Sequence, residues 1–579
     1  MCTGRAALLL FLPLLLLAAC AKKEPRKPKT SDFVSEWKPA AVEHVDPGVA
    51  FVDVREAAGI DFLHVNGAEG KKLLPETMGS GVGFLDYDGD GDSDLLFIQS
   101  QPWTGEGPTM RLYRNDGNWK FTDVTKESGL AVPCYGMGVA IADYDADGDP
   151  DVYVTALGPN LLFRNDGGHF VQVKGGPDGG SWTDDKGKTH ASWSTGAAWF
   201  DADGDGDLDL LVVNYVRWTP ETDVPRQLVE GKKAYTRPDF YEGDGPRLYL
   251  QEDGHFRDAT EESGLQATKV KGKSMSICLD DFDGDGRTDI FISNDSVQNF
   301  LFLARGPARY VETAVAAAVG YDDNGRARAA MGVDTVDWKN NGQLAVAIGN
   351  FSEEPVSLYT IARSAEGTVL FEDAAKDARI GHRTLLPLTF GVAWADMDLD
   401  GWCDLLLGNG HIEPTITKLK AELQFEQTPQ LFRNMGGKKF ADVSADAGLS
   451  MRVVGRGLAT GDLDGDGDLD VVLTSNGGHP LVLRNDLKSG NHALRIRLHE
   501  PGRNPDALGA IVKVTANGTT ERRVVRTGGS YLSQGDLALT FGLGAATHAD
   551  HVSIRWPDGK DQELGPLDAA PKPHVIERE

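Results

Sequence analysis

Three features of the sequence predict an all-β chain, a seven-bladed β-propeller followed by a small C-terminal β-domain. A nine-residue phrase, Asp-x-Asp-x-Asp-Gly-x-x-Asp, begins at Asp86, Asp143, Asp201, Asp281, Asp396 and Asp462, and a decayed copy (DWKNNGQLA) begins at Asp337. Strand-forming runs such as LLFI at 95–98 and VVLT at 471–474 follow the intact copies at once. Start-to-start spacings lie between 56 and 80 residues, room for about four short strands with their turns, which is one propeller blade.

The chain begins with Arg5, an apolar stretch from Ala6 to Leu17, and then Leu17-Ala18-Ala19-Cys20. The stretch is too short to span a membrane as a mature helix and reads as a signal peptide over 1–19. Its ending resembles the bacterial lipobox, which implies cleavage before Cys20 and lipid attachment there. Ala21 rather than Asp after the anchor favours the outer membrane of a Gram-negative host. Charged and proline-bearing sequence follows, so 20–48 is expected to be the lipidated cysteine and a flexible tether.

Carboxylates at alternate positions of a tight loop converge on one point, and a cation of calcium's size takes six to eight oxygens there. Positions 1, 3, 5 and 9 supply side chains, position 7 a backbone carbonyl, and the glycine at position 6 allows the sharp turn. The expected ligand sets are Asp86, Asp88, Asp90, Asp92 and Asp94; Asp143, Asp145, Asp147, Asp149 and Asp151; Asp201, Asp203, Asp205, Asp207 and Asp209. They continue with Asp281, Asp283, Asp285, Arg287 and Asp289; Asp396, Asp398, Asp400, Trp402 and Asp404; Asp462, Asp464, Asp466, Asp468 and Asp470. An EF-hand starts alike but needs a glutamate at position 12, where this chain has Phe97, Val154, Val212, Ile292, Leu407 and Leu473. The loop therefore opens a strand. About six structural calcium ions are expected. In the decayed copy Lys339, Asn341 and Ala345 replace three ligands, so no calcium is expected there, and the Lys339 ammonium is a candidate for the vacated charge site.

Two more phrases recur between the loops. One is Leu-Tyr/Phe-Arg-Asn at 112–115, 162–165 and 431–434; the other is Phe-x-Asp-Val/Ala followed by Gly-Leu or Gly-Ile, at 121–130, 256–265 and 440–449. The second phrase also stands alone at 51–60, upstream of the first loop, and none follows the last loop. The N-terminal strand is therefore expected to complete the last blade and leave no open sheet edge, with the propeller spanning 49–488. The insertion at roughly 215–246 holds Tyr215, Trp218, Tyr235, Phe240 and Tyr241 among charges and prolines. Long loops on rigid scaffolds often carry function, so these five are the candidate ligand loop; the open alternative is that they pin the loop to the propeller.

From Asn491 the periodicity changes. HALRIRL (492–498), AIVKVT (510–515), ERRVVR (521–526), LALTFGL (537–543) and HVSIRW (551–556) are short strand-like runs between turns, a small β-domain over 489–579. The segment Ser530-Tyr531-Leu532-Ser533-Gln534 reads as a turn that packs this domain.

Taken together, the repeats resemble FG-GAP/VCBS repeats, as in integrin α-subunit propellers. More closely, segments such as TGAAWFDADGDGDLDLLVVNYV (195–216), GNFSEEPVSLY (349–359) and FGVAWADMDLDGWCDLLLGNGHI (390–412) are similar to bacterial lipoprotein relatives of the cartilage acidic protein family. The likeness covers about 50–488, and the run from 490 to 562 resembles the ASPIC/UnbV domain that ends proteins of this family. It departs at the decayed loop and in the cysteine-free insertion at 217–246.

A net charge of −29 lies largely in the loops and argues against binding nucleic acid. Cys134, Cys278 and Cys403 are scattered over different repeats and read as small buried residues, not a disulfide framework. No Gly-x-Ser-x-Gly, His-Glu-x-x-His or Cys-x-x-Cys-His occurs, and Gly272-Lys273-Ser274 lacks the first glycine of a phosphate loop. His190, His411 and His479 read as turn histidines, and no catalytic residue is singled out. The expected function is a membrane-anchored extracytoplasmic binding or adhesion module for a protein or glycan. The alternative is an enzyme acting on a polysaccharide or other surface polymer in the propeller funnel.

Overall fold

The computed structural model describes residues 1, 44–224, 228–229, 232–252, 254–365 and 368–579. The leader, Cys20 and most of the tether lie outside the described residues. The chain is all-β in class, as expected, with only short helical turns among the described residues.

Residues 49–488 form seven four-stranded antiparallel sheets. Their first strands are Val82–Leu85, Gly136–Ala142, Ser194–Phe200, Ser274–Asp280, Ala330–Val336, Thr389–Ala395 and Gly455–Gly461. Each first strand packs against the next, and Gly455–Gly461 returns to Val82–Leu85, so the sheets stand in a ring. Each acidic phrase is the hairpin from first to second strand, and position 9 is the first residue of the second strand in every intact copy. Second strands such as Asp151–Ala156 and Asp289–Asn294 are buried at every residue, the burden of a strand packed on both faces, which is why they read as continuous apolar runs.

The last sheet takes its fourth strand from the other end of the chain. Phe51–Asp53 pairs antiparallel with Leu481–Asn485, Phe51 opposite Asn485. The phrase Phe-x-Asp-Val then links the ring across this seam: Phe51 N donates to Ala447 O and Phe121 N donates to Ala58 O, the same bond that joins Phe170 to Ser128 and Phe440 to Ala378. Deleting residues 49–60 removes that strand and the buried Phe51, Val54, Ala58 and Ile60. Calorimetry is expected to show the melting temperature falling by about 10 °C or more, since each large buried side chain contributes roughly 1.5–3 kcal/mol. An unchanged melting temperature would refute the seam as a closing element.

Leu-Tyr/Phe-Arg-Asn is also a link between sheets. Asn115 Nδ2 donates to Leu463 O at 2.8 Å, Asn165 Nδ2 to Tyr87 O at 2.9 Å, Asn434 Nδ2 to Trp338 O at 2.9 Å and Asn485 Nδ2 to Met397 O at 2.9 Å. Every acceptor is position 2 of the preceding sheet's loop. Gln251 replaces the asparagine in the third sheet and reaches Tyr144 O at 3.1 Å.

Each of the five C-terminal runs contributes a strand: Ala493–His499, Ile511–Ala516, Thr519–Val524, Leu539–Gly542 and His551–Arg555. Ala570–Glu577 adds a parallel partner to the first of these, which sequence reading missed. This domain shares one continuous apolar core with the second and third sheets, where Leu494, Val512, Val552 and Trp556 pack with Tyr144, Tyr153, Trp199 and Leu210.

Candidate functional site

The acidic loops repeat one hydrogen-bond pattern. In the first, Asp90 N and Gly91 N donate to the two oxygens of Asp86, at 3.1 and 3.0 Å, and Asp92 N donates to Asp90 Oδ1 at 2.9 Å. Position 9 ties the loop to its sheet: Asp94 accepts from Tyr87 N at 3.0 Å and from Asn115 N, on the adjacent third strand, at 2.7 Å. The pairs made by Asp151, Asp209, Asp289, Asp404 and Asp470 are the same in kind. The decayed loop keeps this scaffold, with Asn341 N and Gly342 N donating to Asp337. Its Lys339 ammonium lies over the Trp338 ring, 4.8 Å from the centroid.

The pattern brings carboxylates together. One oxygen from each of Asp86, Asp88 and Asp90 lies within 4.8 Å of the others, and the same holds for Asp143, Asp145 and Asp151, for Asp201, Asp203 and Asp209, for Asp281, Asp283 and Asp285, and for Asp396, Asp398 and Asp404. Burial pushes Asp94, Asp209 and Asp289 up to about 8 and Asp151 up to about 9, and raises Asp404 and Asp470 well above the carboxylate range. Both carboxylate oxygens of Asp468 are buried without a hydrogen-bond partner among the described residues, whereas Asp398 is paired with Arg433. Hard oxygen donors at this spacing, in part unsatisfied, fit a divalent cation of the calcium type. Some loops also meet arginines: Arg305 Nη1 lies 2.8 Å from Asp283, and Arg433 Nη2 lies 3.0 Å from Asp400.

The C-terminal domain sits on this loop face. Arg495 Nη1 reaches Asp462 Oδ2 at 2.6 Å, Arg503 Nη1 reaches Asp207 at 2.5 Å, Asn491 Nδ2 donates to Asp398 O at 2.7 Å, and Gly544 N donates to Leu399 O at 2.9 Å. From here residues 527–536 run into the middle of the ring, which corrects the reading of Ser530–Gln534 as a turn within the small domain. Thr527 exchanges bonds with the backbone of Trp199, and Gly529 N donates to Ile277 O. Val333 N donates to Ser530 O, and the Tyr531 ring meets Phe390 edge-on at 4.9 Å. Val82 N donates to Ser533 Oγ at 3.1 Å, the Gln534 amide pairs with both N and O of Ile141 at 2.8 Å, and Asp536 N donates to Thr460 O. Every one of the seven sheets is touched. The segment is a plug, and the buried Tyr531 hydroxyl donates to Met78 O beyond it.

The first strands make room for the plug and for each other with a small residue five places before each loop: Gly81, Gly138, Gly196, Ser276, Gly332, Gly391 and Gly457. A Cβ on Gly81 would lie 1.7 Å from Leu532 O, and one on Gly332 would lie 2.1 Å from Phe390 O.

The first strands begin at the other end of the channel, and a cavity of about 390 Å³ opens there. Met275, Met331 and Phe390 line it beside the plug's Tyr531; the connections after the second strands supply Asp295, Ser296, Phe351–Glu354 and His411–Glu413. Ser296 and Glu353 hold left-handed backbone, φ 61° and 71°, the kind of local strain that clusters at binding sites. His411 Nδ1 accepts from Glu413 N at 3.0 Å, so the neutral ring carries its proton on Nε2. Burial, reinforced by the Arg456 charge, pulls this histidine down to about 4. Glu413 Oε1 takes Lys72 Nζ at 3.1 Å and Thr415 Oγ1 at 2.8 Å; against the effect of burial, Thr415 and Lys72 hold the carboxyl below its usual range. Burial raises Asp295 and Glu354.

Of the candidate ligand loop, Tyr215, Trp218, Tyr235 and Tyr241 are buried and Phe240 is exposed. Tyr215 donates to Asp295 at 2.6 Å, Trp218 and Tyr241 to Asp223 at 3.0 Å, and Tyr235 to Glu76 at 3.1 Å. The bonds of Tyr215 and Tyr235 fasten the insertion to the ring, those of Trp218 and Tyr241 brace it internally, and Tyr215 and Tyr235 also line the cavity. His190, on the short strand Thr189–Ala191, pairs with Asp184, and His479 pairs with Phe62 O, whereas His411 belongs to the cavity. The free cysteines Cys278 and Cys403 are buried and Cys134 is partly so.

The family model described as ASPIC and UnbV matches residues 500–577, and that of the FG-GAP-like repeat matches 86–154 and 143–212. Cartilage acidic protein 1 of Mus musculus is 26% identical over 516 residues, 84% of this chain and 71% of that protein. Among solved structures, a lectin of Agrocybe aegerita described as recognising non-reducing terminal N-acetylglucosamine gives a TM-score of 0.37 at 16% identity, covering 63% of this chain and 80% of its own. The Aleuria aurantia lectin, described as a six-bladed β-propeller, gives 0.30 at 13% identity, covering 63% and 94%.

Proposed function

For a chain homologous to cartilage acidic protein 1, with FG-GAP-like repeats and an ASPIC and UnbV domain, we propose a calcium-stapled binding module of the cell envelope. In this reading the ring is a seven-bladed propeller, and calcium at six loops fixes one hairpin per blade. The residues for it are the Asp sets at 86–94, 143–151, 201–209, 281–289, 396–404 and 462–470. Bound there, the ion neutralises clustered charge. The chain's own backbone N–H groups hold the carboxylates in place.

The observation that carries the reading is the plug. With 527–536 filling the channel and the C-terminal domain covering the loop face, the face left for a protein or glycan partner is the opposite mouth, around the cavity. Ala329 lines this mouth. Ala329→Trp is expected to abolish capture of envelope ligands by the immobilised protein, measured by surface plasmon resonance, while the melting temperature holds. Undiminished capture would move the ligand face elsewhere. An enzyme in the same cavity remains the second reading, favoured by its non-loop carboxylates Asp295 and Glu354.

Cys20 supports a lipid anchor, with 20–48 as the tether and the outer membrane as the destination in a Gram-negative host. Cys20→Ser is expected to shift the protein from the membrane pellet to the soluble fraction; retention in the pellet would refute the anchor.

A further inference from the structure

The cavity at the mouth opposite the loops holds polar atoms that the fold itself leaves unused. His411 Nε2, Glu413 Oε2 and Ser352 Oγ are buried and have no hydrogen-bond partner among the described residues, and all three residues line the same space. They are 3%, 8% and 6% exposed. Buried polar groups are nearly always paired, so three unpartnered atoms on residues that line one cavity point to a missing ligand.

Their chemistry is specific. His411 presents an N–H donor, because Nδ1 is occupied as an acceptor from Glu413 N. Glu413 presents an acceptor, because its other oxygen holds Lys72 and Thr415. A hydroxyl group both donates and accepts, and so satisfies the two at once or as a vicinal pair. An anion would meet Asp295, Glu354 and Glu413 in the lining, where Arg237 and Lys420 are already paired with Asp239 and Glu353, and a cation would leave the His411 N–H unmatched. Phe351, Phe390 and Met331 supply apolar surface beside the polar edge. The Phe351 ring stands edge-on to His411 at 5.6 Å and fixes its orientation.

We infer that this cavity is a binding site for a neutral saccharide, gripped through hydroxyl groups by His411 Nε2, Glu413 Oε2 and Ser352 Oγ with its C–H face on Phe351 and Phe390. The inference rests on the proposed ligand face and names its chemistry. Apolar walls with a few fixed polar groups, at a volume of this order, are the usual build of a small-molecule site.

The test uses the full chain in calcium and a panel of neutral methyl hexosides and disaccharides, by saturation-transfer NMR and calorimetry. At least one member is expected to bind with a Kd of about 1 mM or tighter, and His411→Phe and Glu413→Gln each to weaken it at least tenfold, about 1.4 kcal/mol. Ser352→Ala, a smaller change, is expected to weaken it about threefold to tenfold, as loss of one hydrogen bond does. Melting curves matched to the unsubstituted chain establish that each variant is folded. No binding across the panel, or binding unchanged in His411→Phe and Glu413→Gln, overturns the saccharide site. The Ala329→Trp variant separates the two failures: if it stops capture of a macromolecular partner while no hexoside binds, the ligand face stands and only the saccharide falls. If capture is untouched as well, both fall.

Discussion

Replacing residues 530–534 with a glycine-serine run of equal length is expected to leave no stably folded ring at 37 °C. The exchange removes Tyr531 and Leu532, which are 0% and 3% exposed, and creates the cavities they fill. Deleting a buried aromatic and a buried leucine costs about 3–5 and 2–5 kcal/mol. It also strips donors and acceptors from the first strands: Val82 N loses Ser533 Oγ, and Ile141 loses both bonds to Gln534. Each buried group left unsatisfied costs a further 1–3 kcal/mol or so. The total is on the order of 10 kcal/mol, comparable to the whole stability of a typical domain. Circular dichroism melting and gel filtration read the outcome; a melting temperature within about 3 °C of the parent would show that the segment only rests in the channel. Gly81→Val attacks the same contact from the other side, because its Cβ would lie 1.7 Å from Leu532 O.

The plug also explains what was legible in the sequence and what was not. The loops were legible because their chemistry is local: five alternating positions and one glycine state the geometry within nine residues. The recurring Leu-Tyr/Phe-Arg-Asn phrase was visible as a repeat, but its bond runs from Asn115 to Leu463, across the seam of the ring, where no local pattern reports it. The N-terminal strand could be placed because its phrase was missing from the last repeat. Tyr531 and Gln534 could not, since their partners lie hundreds of residues away. A trace was present even so. A glycine or serine stands five places before each loop, inside or at the edge of an otherwise apolar strand, and such residues in strands mark a close backbone approach. The aromatic insertion was read as either recognition or fastening because aromatics serve both; only its hydrogen bonds to Asp295, Asp223 and Glu76 separate the roles. His411 was read as a turn residue, and its Nδ1 contact is one; the free Nε2 depends on what the ring buries around it.

Chelation is expected to lower the melting temperature by about 8 °C at neutral pH, and by more as pH rises. Each site filled to tenfold its dissociation constant contributes about 1.4 kcal/mol, so six on one cooperative ring contribute several. The pH dependence follows from the buried aspartates at position 9. Without a cation, burial holds Asp94, Asp209 and Asp289 at about 8 and Asp151 at about 9. In the unfolded chain they titrate near 3.9. The folded, cation-free ring therefore binds more protons than the unfolded chain. Its stability from these groups is full below about pH 4 and is lost as pH rises through about 8 to 9. A bound divalent cation reverses this, because it favours the ionised carboxylates and loses nothing when protons leave. The gap between melting temperatures with calcium and with EDTA is thus expected to be small at about pH 5.5 and widest at about pH 8.5. Asn substitution at Asp94 and Asp151 together should reduce the pH dependence of the EDTA curve, since the amides do not titrate while Asp209, Asp289, Asp404 and Asp470 still do. Identical melting with calcium and with EDTA at both pH values would remove the ion from the account and leave the position 9 aspartates as neutral hydrogen-bonding staples between second and third strands.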